Sequence, residues 1–481
     1  MCVSVCVLML GAAAKRSTFT LRSVYSSSVR NASSKYDVVV IGGGSAGIGL
    51  TASWLKHKTG SSKSNGETLS FAIIEPAEDH YYQPLWTLIG GNTNYGNKIS
   101  EKTEKLIPEG AKLVKDKVTT FHPEQNEVEL SNGDKISYDV LVVAAGVQIN
   151  FDATEGLVSA LEDSDSSVCS NYDHHWCNKT SKLVKEFQGG NALFTFPTGP
   201  VKCAGAPQKI MYLADAAWTA KNLDYKANFY SSLPKIFAVE KYRVALEALC
   251  NNRNLTRHFG HRLIKVMSDK KQAVFKVDHA IRPDISEETV TVDYDFIHVT
   301  PEMGAPNFLK GSPISDAAGF VDVNKETLQS NKYPNIFALG DCSNVPTSKT
   351  LSAITGQLGV VRYHAGKVLD TREVYSKDAS KDFAHFREGE GPIYDGYTAC
   401  PIPTGYHEGI IAEFDYDAQP LETFFWDQSV PSKANGLMKE FAFPQLYWNF
   451  FLKGDWTGPW KFRQQFAPLK RALHTRTLES D

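Results

Sequence analysis

Tyr36-Asp-Val-Val-Val-Ile41 runs directly into Gly42-Gly-Gly-Ser45-Ala46-Gly47, and a helical stretch follows to Leu55. A short buried strand, a glycine turn and a helix in that order predict the opening of a dinucleotide-binding unit. Gly42, Gly44 and Gly47 have the G-x-G-x-x-G spacing. The first glycine permits the tight turn, the second lets a pyrophosphate approach the backbone, and the third lets helix and strand pack closely. Phosphate then rests on the helix N-terminus at Ser45 and Ala46. A second strand, Leu69 to Ile74, ends at Glu75, whose carboxylate can accept both ribose hydroxyls. It lies farther along than the usual spacing of about 20 residues. The polar stretch Lys56 to Thr68 accounts for that as a surface insertion.

The chain has 481 residues, about three domains by length. With 42% hydrophobic and 22% charged residues it is ordinarily globular, which excludes disorder, collagen and a small disulfide-stapled scaffold. A formal charge of −3 gives no general pull toward nucleic acid or acidic lipid, so any membrane contact is local. Eight cysteines, at 2, 6, 169, 177, 203, 250, 342 and 400, include no CxxC pair. A zinc site or a secreted disulfide framework would show one or a regular spacing. Cysteines that act here act in pairs distant in sequence.

Further strand-like runs occur at Lys112 to Phe121, Glu127 to Leu130 and Val140 to Ala144. Asp152 to Gln188 reads as a polar connector with a helix near Ser181 to Phe187. A second α/β unit opens at Ala192 to Phe196. It continues through a helix at Gln208 to Thr219, a strand at Lys235 to Val239, a helix near Val244 to Leu249 and a strand at Arg262 to Met267. Asn335 to Leu339 is another apolar strand, closed by Gly340-Asp341 and followed by a helix from Ser352 to Leu369. The expected fold class is α/β, with two Rossmann-like dinucleotide-binding domains, the second inserted in the first. The segments are 36–160 and 301–370 for the first domain, 161–300 for the second, 371–440 for a C-terminal region and 441–481 for a tail.

Both ends carry signals of their own. The first 36 residues hold no Asp or Glu, and Lys15, Arg16, Arg22, Arg30 and Lys35 sit among eight serines, so 1–35 reads as a mitochondrial presequence. A secretory signal is the rival, because Met1 to Ala14 is largely apolar, but its basic residues follow the apolar stretch instead of preceding it. No uncharged apolar run reaches the length of about 18 residues that spans a bilayer. Phe441 to Trp460 is rich in aromatics and is followed by Lys461, Arg463, Lys470 and Arg471. That pattern suits a bilayer interface; an aromatic helix packed on the core is the alternative.

Tyr333-Pro-Asn-Ile-Phe-Ala-Leu-Gly340-Asp341 is similar to the second flavin fingerprint of disulfide-reductase-like flavoproteins, and Val142-Val-Ala-Ala-Gly146 to their strand-turn between domains. Four longer runs narrow the resemblance: His80-Tyr-Tyr-Gln83-Pro84-Leu85-Trp86, Phe196-Pro-Thr-Gly-Pro-Val-Lys-Cys203-Ala-Gly-Ala-Pro-Gln-Lys209, Gly340-Asp-Cys-Ser-Asn-Val-Pro-Thr-Ser-Lys-Thr350 and Gly396-Tyr-Thr-Ala-Cys400-Pro. Over nearly the whole mature chain the sequence resembles the mitochondrial sulfide:quinone oxidoreductases, members of the two-dinucleotide-domain flavoproteins. The resemblance implies FAD, with Asp341 on the ribityl chain and Gln83, Val118, Gly340 and Lys349 as further cofactor contacts. Lys349 and Thr350 would steady charge on the reduced pyrimidine ring; a solvent-facing lysine is the alternative. His80 and Tyr81 would also line the flavin.

The resemblance also implies a redox pair. Cys203 lies in a Gly/Pro-rich loop just past a strand, with Lys202 and Lys209 nearby to favour thiolate. Cys400 lies in another loop. Hydrosulfide would attack a sulfur bridge joining them, leaving Cys400 as persulfide and Cys203 as thiolate toward the flavin. Electrons would pass to ubiquinone, and sulfane sulfur to glutathione or sulfite. Cys169, Cys177 and Cys342 are left out of the reaction. The implied location is peripheral on the mitochondrial inner membrane, with no nucleic-acid partner and a homodimer left open.

The second unit's first turn, Thr198-Gly-Pro-Val-Lys-Cys203, lacks the glycine cradle for pyrophosphate. That counts against a type II NADH:quinone dehydrogenase. Two more functions compete: a flavocytochrome-like sulfide dehydrogenase, and a non-enzymatic flavoprotein resembling apoptosis-inducing factor, which an inert cysteine pair would favour.

Overall fold

The computed structural model describes residues 33–57, 68–375 and 391–478. The expected presequence, apart from residues 33–35, and most of the expected insertion lie outside the described residues. Strand β1 (Ser33–Ile41) enters helix α1 (Ser45–His57), as the glycine spacing predicts. The strands β2 (Phe71–Ile74), β3 (Ala111–Val114), β4 (Val118–His122), β5 (Glu127–Leu130) and β6 (Lys135–Val143) complete a sheet in the order β3-β2-β1-β6-β5-β4. Val38, Val39 and Val40 are fully buried, because β1 lies mid-sheet with both faces covered. Asp116-Lys117 breaks the expected run Lys112 to Phe121 into two strands.

A second sheet, entirely parallel, follows from β7 (Val168–Cys169), β8 (Gly190–Phe196), β9 (Tyr225–Ser231), β10 (Thr256–Phe259) and β11 (Phe296–His298), in the order β7-β11-β8-β9-β10. Helices α2 (His174–Glu186), α3 (Ala206–Ala220) and α4 (Glu240–Asn252) belong to this half. Helix α2 starts earlier than its expected position because the Asp173 carboxylate accepts the His175 N–H, 2.9 Å away, and caps it. The expected strand Lys235 to Val239 is a loop. Its Ile236 and Val239 are buried as they lead into α4, and the strand is instead the polar-looking Tyr225–Ser231. Arg262 to Met267 is a strand, but of an antiparallel three-strand meander beside the parallel sheet.

The chain then returns to the first sheet, where β12 (Ile336–Ala338) pairs in parallel with β6. Register decides what this achieves. Ile41 pairs with Ile74 and with Val143, and Ala338 also pairs with Val143. Four strands therefore end level, delivering Gly42, Glu75, Ala144 and Gly340-Asp341 to one edge of the sheet, where open α/β folds bind ligands.

Helix α5 (Leu351–Tyr375) follows, then a hairpin of β13 (Thr398–Gly405) and β14 (Glu408–Phe414). A π-helical turn, Met438–Ala442, leads into α6 (Phe443–Asn449), and α7 (Trp460–Leu478) closes the chain. The aromatic tail divides between the two readings of its sequence. Tyr447, Trp448 and Phe451 are buried, whereas Phe441, Phe450 and Phe462 are 40%, 49% and 44% exposed. The buried part runs along α1. Gly454, at a left-handed φ of 74°, sits where a Cβ would lie 2.6 Å from the Ala52 and Ser53 backbone, and Asp455 pairs with Lys56. Among the described residues no helix is long and apolar enough to cross a membrane.

Gly454→Ala adds both a disfavoured φ and a backbone clash, so it is expected to destabilise the protein by about 2 kcal/mol or more. Equilibrium denaturation of the purified variant measures this; an unchanged midpoint would contradict the packing.

Candidate active site

The three predicted glycines do three separate jobs. Gly42 has φ 106°, and a Cβ there would lie 2.5 Å from the Ala144 carbonyl oxygen. A Cβ on Gly47 would lie 1.9 Å from the Gly42 oxygen, so helix and strand touch through that glycine. Gly44 faces open space, with no atom within 4 Å of the position its Cβ would take. This is the free approach a pyrophosphate needs, and the first-turn amides of α1 have no partner within their own helix. Glu75 braces the turn: its carboxylate accepts the Gly43 N–H at 2.6 Å and the Ala77 N–H at 2.8 Å.

From this turn opens a cavity of about 980 Å³, at the upper end of small-molecule sites. Of the residues singled out from the sequence, Gly42, Gly44, Ser45, Ala46, Glu75, Gln83, Cys203, Gly340, Asp341 and Lys349 line it. Gly47 lies beneath the turn. Val118 is not brought to the cavity; its side chain is 4% exposed in the core of the first sheet. Lys349 is not solvent-facing. Its ammonium donates to the Asp341 and Ser343 carbonyls at 2.6 and 3.1 Å, tying the loop after β12 to the start of α5. Part of the cavity wall is aromatic, formed by Phe443, Phe450, Trp456 and Phe462.

Cys203 and Cys400, 197 positions apart, bring their sulfur atoms to 4.0 Å. Cys203 ends the loop after β8 at a left-handed φ of 52°, and its N–H donates to the Lys349 carbonyl at 2.7 Å. The second sheet's first turn thus presents a thiol to the first domain's loop. Cys400 is in β13, not in a loop, opposite Ala412. A Cβ on Gly205 would fall 2.6 Å from its sulfur, so that glycine makes room for it. Alternation along the hairpin gives it two faces. Ala399, Pro401, Ile411 and Glu413 line the cavity, while Cys400 and Ala412 face the core of the second sheet.

The pair shares one proton. The Cys400 thiol, donating toward Cys203, and the Lys209 ammonium, 3.0 Å from the Cys203 sulfur, overcome burial and hold Cys203 well below the ordinary cysteine range. Cys400 keeps the proton and is pushed well above it by the same contact and by burial. Burial opposes the charge on Lys209, but the cysteines more than offset it and raise its pKa. The remaining described cysteines are inert packing: burial lifts Cys169 to about 12 and Cys177 and Cys342 to about 11.

Sequence reasoning missed several residues here. Lys439, in the π-helical turn, is buried, donates to the Pro84 carbonyl at 3.0 Å and is brought to about 7 by burial and by Lys209. Lys202, noted only for its closeness to Cys203, donates to the Gln83 side-chain oxygen at 3.0 Å and is lowered by burial to about 8. Glu413, 3% exposed, accepts from the Tyr397 hydroxyl, the Thr423 N–H and hydroxyl, and the Gln428 amide at 2.7 to 2.8 Å. A charged residue flanked by apolar ones, as in Met438-Lys-Glu-Phe441, was the signal that could have found Lys439.

A depressed Cys203 pKa means that thiolate persists as the pH falls, until the folded pKa is crossed. Alkylation by iodoacetamide at pH 6 is therefore expected to be fast at Cys203 and slow at Cys342. Lys209→Met should slow it about tenfold for each unit by which it lifts the Cys203 pKa above the labelling pH. Labelling rates read by mass spectrometry check this, and equal rates at the two cysteines would sink it.

No protein-family model matches the chain. The mitochondrial sulfide:quinone oxidoreductase of Mus musculus is 41% identical over 437 residues, 90% of this chain and 90% of the mouse protein. That of Dictyostelium discoideum is 41% identical over 438 residues, covering 90% and 89%. Among solved structures, the sulfide:quinone oxidoreductase of Aquifex aeolicus superposes with a TM-score of 0.66 over 88% of this chain and 91% of that one, at 17% identity, a likeness of fold. The level strand ends, the glycine turn and the sulfur pair thus sit in a sequence related along nearly its full length to two such proteins, and the chain belongs to the mitochondrial sulfide:quinone oxidoreductase family.

Proposed function

We propose that this chain oxidises hydrogen sulfide at a Cys203/Cys400 redox pair, uses FAD as resident cofactor and delivers the electrons to ubiquinone. The observation that carries the reading is the 4.0 Å approach of two sulfurs from distant segments, with an ammonium 3.0 Å from one of them, beside the dinucleotide cavity. The residues that would hold FAD are the turn Gly42 to Ala46 for the pyrophosphate, Glu75 for the ribose and Asp341 for the ribityl chain, with Gln83 and Lys349 beside them. Bound FAD supplies a two-electron relay between sulfur and quinone.

The electrostatics of the pair support a direction for the sulfur chemistry. In thiol–disulfide exchange the thiol of lower pKa leaves faster. With Cys203 and Cys400 bridged, hydrosulfide attacks the Cys400 sulfur, a new S–S bond forms there, the bridge breaks, and Cys203 leaves as thiolate beside Lys209. Cys400 then carries the persulfide. A nucleophilic acceptor, glutathione or sulfite, attacks the outer sulfur of that persulfide and releases Cys400 as thiolate. Lys209 balances the charge that develops on Cys203.

The aromatic part of the cavity wall supports entry of an apolar quinone. Phe450 and Phe462 both line the cavity and stand 49% and 44% exposed, with the exposed Lys461 next to Phe462 in sequence, a combination suited to a bilayer interface. On this reading the protein is mitochondrial and lies peripherally on the inner membrane, and ubiquinone enters from the lipid.

Cys203→Ser and Cys400→Ser are each expected to lower sulfide-dependent quinone reduction by about 10³-fold or more, as loss of a nucleophile does. Cys177→Ser, outside the site, retains activity. Sulfide added anaerobically to the wild type should produce a long-wavelength flavin charge-transfer band followed by bleaching. Unchanged turnover in either serine variant would eliminate the mechanism.

A further inference from the structure

The C-terminal segment is tied by hydrogen bonds to the turn that receives the dinucleotide. Tyr447, on α6 and 2% exposed, lines the same cavity as Gly43 and Ser45. Its hydroxyl lies 2.7 Å from Ser45 Oγ and 2.5 Å from His80 Nε2, and His80 Nδ1 lies 3.1 Å from the Gly43 carbonyl oxygen. The polarity of this array follows from its ends. A carbonyl only accepts, so Nδ1 carries the proton. Burial holds the imidazole neutral, at a pKa of about 4, so Nε2 is a bare acceptor. The Tyr447 hydroxyl therefore donates to His80, and the Ser45 hydroxyl donates to Tyr447. With its proton committed there, Ser45 has no hydroxyl hydrogen for a phosphate, and the first-turn amides remain as the phosphate donors.

The segment that carries Tyr447 is fitted to the helix that begins at Ser45. Gly49 sits where a Cβ would come within 2.8 Å of the Phe451 ring, and Gly454 and Asp455 meet α1 one and two turns further on. Tyr447 itself packs on Tyr82, ring centroids 4.4 Å apart, and on Phe451. Helix α1 is thus held at its N-terminus by a hydrogen-bonded array and along its length by shape.

We propose that Tyr447 is a positioning residue for the cofactor. It fixes the rotamer of Ser45 and the ring of His80 at the phosphate turn, and so couples retention of the dinucleotide to docking of residues 443–455 on α1. The inference rests on the FAD reading above. Coupling of this kind is reciprocal: what docked Tyr447 does for FAD affinity, bound FAD does for docking, by the same factor.

Tyr447→Phe keeps the ring and removes the hydroxyl, leaving His80 Nε2 and the Ser45 hydroxyl without their partner. FAD titrated into apoprotein, followed by flavin fluorescence, should show a dissociation constant about tenfold higher than wild type, the scale of one lost hydrogen bond with an orphaned buried partner. Hydrogen exchange at residues 443–455 should slow on FAD binding in wild type and slow about tenfold less in the variant. Ser45→Ala breaks the array at its other end, so the Ser45→Ala/Tyr447→Phe double variant should be no weaker in FAD binding than the weaker single variant. Wild-type affinity in Tyr447→Phe, or fully additive losses in the double variant, would overturn the proposal while leaving the FAD reading intact. A wild-type protein that binds no FAD would remove both.

Discussion

Every functional feature of this molecule depends on two places where no side chain fits. Between Gly42 and the Ala144 carbonyl, and between Gly47 and the Gly42 carbonyl, there is room for hydrogen only. Because of those contacts β1, α1 and β6 converge tightly enough for four parallel strands to finish level. The edge they share is the floor of the cavity, and the residues that stand on it come from strands nearly 300 positions apart. The first sheet is thus completed only after the second has been built, which makes the order of the elements part of the site.

Around the cavity the protein gathers four lysines, two of them, Lys209 and Lys439, buried. Lys202, Lys209, Lys349 and Lys439 all carry ammonium groups in or beside it, and desolvation there opposes the charge of each. They are accommodated unequally. Lys349 is held by two carbonyls, Lys202 by an amide oxygen and Lys439 by one carbonyl. Lys209 has the Cys203 sulfur as its partner, and its pKa rises instead of falling. The low pKa of Cys203 and the high pKa of Lys209 describe one ion pair seen from its two ends.

The parts of this structure legible in the sequence are those fixed by local sterics. The turn at Gly42 to Gly47, the strand end at Glu75 and the strand before Gly340-Asp341 stand where their residues place them, because glycine spacing and strand length are short-range constraints. Tyr225–Ser231 was not legible, since its Lys226 and Asn228 disguise a buried strand, whereas Ile236 to Val239 is apolar enough to imitate one. Bringing Cys203 to Cys400 required a resemblance, because nothing in the spacing of two cysteines 197 positions apart gives their distance. Lys439, Glu413 and the part of Tyr447 in the phosphate turn were invisible for the same reason: each acquires its environment from segments ten or more residues away, and several from hundreds away.

The two-faced hairpin places a demand on strand pairing itself. A slip of one residue in β13 would turn the Cys400 sulfur into the cavity and put Ala399 where the thiol belongs, converting a folding error directly into a chemical one. Glu413, directly opposite Ala399, opposes such a slip: three donors from Thr423 and Gln428 fix the carboxylate, and the Tyr397 hydroxyl, just before β13, would lose it. That carboxylate therefore serves as a ratchet pawl for the ribbon: it keeps sulfur on one side of a two-stranded wall that is one peptide thick.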